Sequence, residues 1–537
     1  MLALIPLDNR PCNLRFPQQI AAIGGSNLLT PPENLLGYFN TPGQPEDLRL
    51  WLEQLPAVEA LIVSIDMLAY GGLVASRRTA VTEKDALANL EVLREFRQAR
   101  PTTPIYAFNI LMRLAVTMDS DEAIANYYNV MRYARLVDEA ERFNSEHLRD
   151  ELHKVRSEIP QGVLREYLDA RARNNAVTCR MIDWLAEDVF DYLLITQEDA
   201  TEFGLHRREQ NALLDRIAQR GVADKTSLHP GADEAALTML ARHWDTRVKL
   251  HVHWSSLEDA HHIAPFEDRP YDEALTQHVE SMRGVLIDDR VGHTPSQNGT
   301  NGTGGSADFE LFVNAPVGGW PKDENEAEQT ARAARLTTFV RALADAIEAG
   351  RQVALCDVAF PNGADNVLMA ELEKRKLLGK LAVYGGWNTA GNTTGSVLAH
   401  CAALKRAEDL AATPSSLIPR PSSLALSRQF LFERLVDDWF YQSRVRARVE
   451  KAAREQGLSP INLIDTYEPV EAQTRRELRG FAQLLAQRHF GTALQGCEVM
   501  LPWHRTFEVD VRVKLVNSQL VDANPSELKT ADAISVS

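Results

Sequence analysis

The chain has 537 residues, more than one ordinary hydrophobic core accommodates, and its 45% apolar and 25% charged content is that of a globular protein. A net charge of −16 without a basic stripe argues against nucleic acid as a partner, and no apolar run reaches the ~20 residues of a membrane helix. Five widely spaced cysteines with no CxxC pair argue against a disulfide framework or a structural zinc site. No basic region precedes the short apolar run at the N-terminus. The expected location is therefore cytoplasmic.

In chain order, strands are predicted at 2–7 (LALIPL), 60–65 (ALIVSI), 104–110 (PIYAFNI), 192–196 (YLLIT), 226–229 (TSLH), 248–254 (VKLHVHW), 284–287 (GVLI), 310–315 (ELFVNA), 353–358 (VALCDV) and 381–385 (LAVYG). Most are continuous apolar runs, the pattern of strands covered on both faces. Helical patterns such as 83–99 and 328–350 lie between them, so the expected class is α/β with a mainly parallel sheet of βα units. The strand count favours a barrel-like core; an open doubly wound sheet is the alternative. Residues 1–410 form this region, with a helical insertion at about 119–190 and a flexible Gly/Ser/Asn-rich loop at about 290–307. A Pro/Ser linker spans 411–422, and 423–537 is a smaller α+β extension with an alternating, antiparallel strand at 507–516. No internal repeat of 20–50 residues is evident.

Ligands of parallel α/β folds bind at the carboxyl ends of strands. Polar residues follow nearly every apolar run. These are Asp8 and Arg10 after the first, Asp66, Tyr70 and Arg77 after the second, Asn109 and Arg113 after the third, and Gln197, Glu198 and Asp199 after the fourth. His229, Asp233 and Glu234 follow the fifth, and Trp387, Asn388 and Asn392 the last. Any one of them could simply cap the next helix; the recurrence on so many strands points to a shared site.

Asp233 and Glu234 are adjacent carboxylates behind a Pro-Gly kink. At a strand end, two such groups can occupy different environments, one protonated and one charged, as acid/base chemistry requires. In the first turn of a helix they would merely complement its dipole. Arg10, Arg77 and Arg113 suit carboxylate or phosphate groups, or pair with Asp8 and Asp66. Trp387 with Asn388 and Asn392 suits a sugar, ring against ring and amide against hydroxyl. His251 and His253 alternate on one strand and share a face; with Asp8 and Asp66 they are the alternative metal ligands. No dinucleotide, phosphate-loop or nucleophile-elbow motif is present.

IPLDNRPCN, SIDMLAYGGLVASR, TQEDA, PGADE and YGGWNTAGN together resemble a bacterial family defined as a domain of unknown function, over at least residues 1–410. That resemblance implies no activity. The six residues His229 to Glu234 are also similar to the H-x-G-G/A-D-E signature of β-N-acetylhexosaminidases. By that resemblance Asp233 would orient the substrate's acetamido group, Glu234 would be the general acid, and Trp387 an aromatic wall.

The expected function is hydrolysis of a small carbohydrate or glycoside without a cofactor. Glu234 would be the acid, with Asp233 or Asp199 as second carboxylate. Asp8, Arg10, Asp66, Tyr70, Arg77, Arg113, Gln197, His229, Trp387, Asn388 and Asn392 would bind substrate. A metal-dependent hydrolase or isomerase, and a non-catalytic sugar-binding protein, are the alternatives. A homo-oligomer is left open.

Overall fold

The computed structural model describes residues 1–291, 307–317, 326–412, 420–463 and 466–516. The expected loop at 290–307 and linker at 411–422 lie largely outside the described residues. The protein is α/β, as its apolar runs imply, and all ten runs become strands.

The strands form two parallel sheets. The first contains β1 (Leu2–Ile5), β2 (Leu28–Leu29), β3 (Leu61–Ser64), β4 (Ile105–Leu111), β5 (Tyr192–Gln197) and β6 (Thr226–Pro230), in the order β2-β1-β3-β4-β5-β6. The second contains β7 (Lys249–Trp254), β8 (Val285–Ile287), β9 (Phe309–Asn314), β10 (Val353–Asp357) and β11 (Val383–Gly385), in the order β11-β10-β9-β7-β8. Counted from its own first strand, the second sheet has the order 2-1-3-4-5, which repeats the first five places of the six-stranded first sheet. The repeat is one of topology, far longer in period than any sequence repeat sought.

The expected barrel-like closure is therefore corrected to two open, doubly wound sheets. The reason lies between β6 and β7. The helix Ala235–Trp244 joins them, and nearly every one of its residues is buried. A helix apolar on all sides needs cover on all sides. Leu237, Met239 and Leu240 are fully enclosed, each worth about 1.5–3 kcal/mol of burial. The helices Arg15–Ile23 and Ala390–Ala411 join it in one layer whose core takes Leu4, Ile62 and Phe108 from the first sheet and Leu250, Leu311 and Ala354 from the second. A barrel would have no room for this middle layer.

The outer face of the first sheet is covered by a second core that includes Val177, Met181 and Leu185. These belong to the last helix of the insertion, Gln161–Ala186, which is thus also the crossover between β4 and β5. The helices Ala123–Arg142 and Glu146–Glu158 pack on its first half around Val130, Leu136 and Tyr167. The outer face of the second sheet shares one core with the C-terminal region: Phe312, Leu355 and Tyr384 pack with Trp439, Leu478 and Val511. That region ends in an antiparallel pair, β12 (Leu494–Met500) and β13 (Asp510–Leu515). No helix among the described residues is long and apolar enough to cross a membrane.

Candidate active site

The loops after the strands of both sheets meet around one cleft, with a cavity volume of about 210 Å³. The first sheet brings Arg10 after β1, Arg77 after β3, Arg113 after β4, Gln197, Glu198 and Asp199 at the end of β5, and Asp233 after β6. The second brings Glu267 after β7, Asn362 after β10, and Asn388 and Asn392 after β11. The C-terminal turn closes the remaining side with Trp503, Arg505 and Phe507.

Arg10 organises the floor. Its Nε and NH2 donate to Asp8 Oδ2 at 2.9 and 2.7 Å, NH2 donates to Asp233 Oδ1 at 2.6 Å, and NH1 donates to Glu508 at 2.8 Å. Burial works against this guanidinium's charge, but Asp233, Asp8 and Glu508 outweigh it and hold its proton more firmly than usual. Asn13 donates to both Asp8 and Asp233 at 3.0 Å, and Asn388 donates to Asp233 at 3.2 Å. The Asp233 backbone N–H donates to Asn392 Oδ1 at 3.0 Å, so β6 and β11 are tied directly across the two sheets. Burial beside other carboxylates pushes Asp233 upward despite Arg10.

Two acids face the cleft with a cation on each. Glu198 pairs with Arg77, and Asp199 with Arg113 at 2.9 Å. Arg113 also donates to the Tyr127 hydroxyl at 3.1 Å. Glu267 differs. Its Oε1 accepts from Gly391 N–H at 2.8 Å, and Oε2 has no partner. Burial pushes its carboxyl up to about 8, and Asp268 adds to that. Phe39, Phe266, Trp503 and Phe507 supply apolar wall. Arg505 lies over the rings of Phe39, Trp503 and Phe507 at 4.6–5.3 Å, meets Glu508 at 3.4 Å, and is lowered to about 10 by burial. Backbone strain gathers here as well. Asp199, Phe266, Asn362, Asn388 and Trp503 all have positive φ, between 26° and 70°. For a bulky side chain such as Phe266 that conformation costs roughly 1–2 kcal/mol.

Several expected site residues lie elsewhere. Asp66 is fully buried and accepts from Asn109 and from Ile110 N–H at 3.1 and 2.9 Å; burial raises it to about 6. It braces β3 against β4. Tyr70 lies under Arg173, 4.3 Å from the guanidinium to the ring centroid. Trp387 turns into the middle layer, edge-on to Phe16 at 5.9 Å. Asp8 acts through Arg10. Glu234 does not line the cleft. It is fully enclosed with His229 and His278, and burial raises it to about 8. Its Oε2 accepts from Ala232 N–H at 2.8 Å. Two glycines make room for it: a Cβ on Gly231 would come within 1.8 Å of its Oε1, and one on Gly395 within 2.2 Å of its Cγ. The Pro-Gly kink thus seats a buried carboxyl. His251 and His253 meet Glu310, and the proposed ligands Asp8 and Asp66 are not in that cluster.

Glu267, Trp503 and Arg505 escape a search of strand ends. Glu267 lies 13 positions beyond the end of β7, and the other two sit in a turn before β13. No local signal marks Glu267, whose loop also carries Glu258, Asp259, His261 and His262.

A family model described as a protein of unknown function (DUF4127) matches residues 2–512, and the chain belongs to that family. Neither the curated proteins nor the solved structures contain a match.

Proposed function

We propose that the protein is a hydrolase of small glycosides, in which Glu267 protonates the leaving oxygen and Asp199 is the second carboxylate. The observation that supports this most is the contrast between two acids lining one cleft. Burial pushes the Glu267 carboxyl up to about 8 against the Gly391 N–H and the Thr389 side chain, whereas Asp199 is paired with Arg113. Acid and base roles divide in this way when environments separate two carboxyls. The aromatic wall suits sugar rings, and the amides of Asn362, Asn388 and Asn392 suit hydroxyls. Arg505 is the cleft cation with the weakest carboxylate pairing, which favours substrates carrying an acidic substituent.

The step needs no cofactor. The Glu267 proton passes to the glycosidic oxygen as the bond to the sugar carbon breaks. Asp199 either attacks that carbon or takes a proton from the attacking water. In this reading Asp233 holds Arg10 and Asn388 in place, and Glu234 supports the loop from behind.

The test is turnover of a panel of aryl glycosides, N-acetylhexosaminides and uronides included, by wild type, Glu267→Gln and Asp199→Asn. The expected result is a fall in kcat of roughly 10²–10⁴ in each variant with the fold intact. Turnover equal to wild type in Glu267→Gln overturns the assignment. Sugar binding without turnover by any form would make the protein a sugar-binding one.

A further inference from the structure

Outside the cleft, the second sheet carries a cluster that the proposed hydrolysis does not use. His251 and His253 are two apart on β7 and point to the same face. In register with His251 on the neighbouring strand stands Glu310 of β9. One carboxylate oxygen, Glu310 Oε2, lies 3.0 Å from His251 Nδ1 and 2.7 Å from His253 Nε2. The ring centroids are 4.5 Å apart and inclined at 60°, so the two imidazoles converge instead of stacking. His253 is fixed from behind by the Phe312 ring, stacked at 4.5 Å.

The surroundings are arranged as well. Arg351 pairs with the other oxygen, Glu310 Oε1, at 2.5 Å. His251 Nε2 lies 3.2 Å from Asp289 Oδ2. This last contact sets up a mismatch. A neutral imidazole has one N–H and one lone pair. If His251 Nδ1 donates to Glu310, Nε2 offers a lone pair to a carboxylate. A metal on Nδ1 puts the proton on Nε2, where Asp289 accepts it. That is the carboxylate–histidine–metal arrangement by which outer residues orient a ligand. A second proton on His251 would relieve the same mismatch, so metal binding itself has to be measured.

We infer that His251 Nδ1, His253 Nε2 and Glu310 Oε2 form a binding site for a divalent transition metal of the zinc class, with Asp289 and Arg351 as its outer support. Two imidazoles and one carboxylate are a donor set for that class and leave a position open for water. Both histidines are partly exposed, so a metal reaches the site without unfolding the chain. The site bridges β7, β9 and the turn after β8, and would fasten that edge of the second sheet.

The experiment is titration of chelator-treated full-length protein with Zn²⁺ by calorimetry and with Co²⁺ by visible absorption. The expected result is one ion per chain, with Co²⁺ bands of a four- or five-coordinate nitrogen–oxygen site. Glu310→Gln and His253→Ala should weaken binding at least 100-fold. Asp289→Asn, at a highly exposed carboxylate that the fold does not need, should weaken it roughly tenfold or more. No binding by the wild type, or binding unchanged in Asp289→Asn and Glu310→Gln, would overturn the proposal. The second outcome would move the ion elsewhere, the enclosed His229, Glu234 and His278 included.

Discussion

The two sheets share a strand order but give the cleft different chemistry. The first contributes nearly all the charge: Arg10, Arg77 and Arg113 with Glu198, Asp199 and Asp233. The second contributes amides, Asn362, Asn388 and Asn392, and, among the described residues, one acid, Glu267, whose carboxyl burial pushes up to about 8. One half sets the field and the other reads polar groups and holds a proton. A repeated topology thus supplies two sets of strand ends, and the residues on them decide what each set does.

The largest effect that would break this division is on catalysis. Glu267→Gln removes the acid that the second half brings to the cleft among the described residues, and should lower kcat by roughly 10²–10⁴, or about 3–5 kcal/mol of barrier. Glu234→Gln, although it changes the residue picked out by sequence motif, should lower it less than tenfold, as steady-state kinetics on one substrate will show. Equal losses in the two would return the acid to Glu234. Next comes Arg10→Ala, which leaves Asp8, Asp233 and Glu508 buried without their cation. Breaking a buried pair costs about 3–5 kcal/mol, to be read as a fall in denaturant midpoint. Asn388→Ala, on the amide side, should raise KM several-fold and lower stability by about 1–3 kcal/mol, because the buried Asp233 loses a donor.

The last effect is spread over several pH units. Glu234 ionises at about 8 in the folded protein against 4.5 ordinarily. Between those values the folded state holds a proton that the unfolded state has lost. Stability attributable to this group is therefore fullest below about 4.5, declines as pH rises towards 8, and changes no further above it. The slope is on the order of 1.4 kcal/mol per pH unit. Glu234→Gln should flatten the dependence of the urea midpoint on pH across that window. An unchanged slope would mean that Glu234 is ionised when buried.

The strands were legible because residues covered on both faces must be apolar: LALI, LIVS and YLLITQ admit little else. Leu28–Leu29 was too short to register, and β12, LQGCEVM, mixes apolar and polar residues because one side faces solvent. Closure was not legible, since a strand sequence does not say which strand lies beside it. The rule about strand ends located Arg10, Arg77, Arg113, Gln197, Asp199, Asp233, Asn388 and Asn392 around one cleft. It could not tell which neighbours turn inward. Asp66, Tyr70 and Trp387 stand at the same ends and turn to a buried amide, an arginine over the ring and the middle core instead. Glu267 and Arg505 reach the cleft only through tertiary packing, which no local pattern encodes.

The turn Trp503–Phe507 lies about 490 positions after Arg10, yet both wall one cleft. Ribosomes deliver these residues after every strand of the two parallel sheets. Until then the cleft stays open on one side, with Arg10 lacking Glu508 and the Phe39 ring lacking Arg505. The cleft is complete only once this turn is in place, and a protease that removed everything from Trp503 onward would open the cleft and strip β13 from the core it shares with the second sheet.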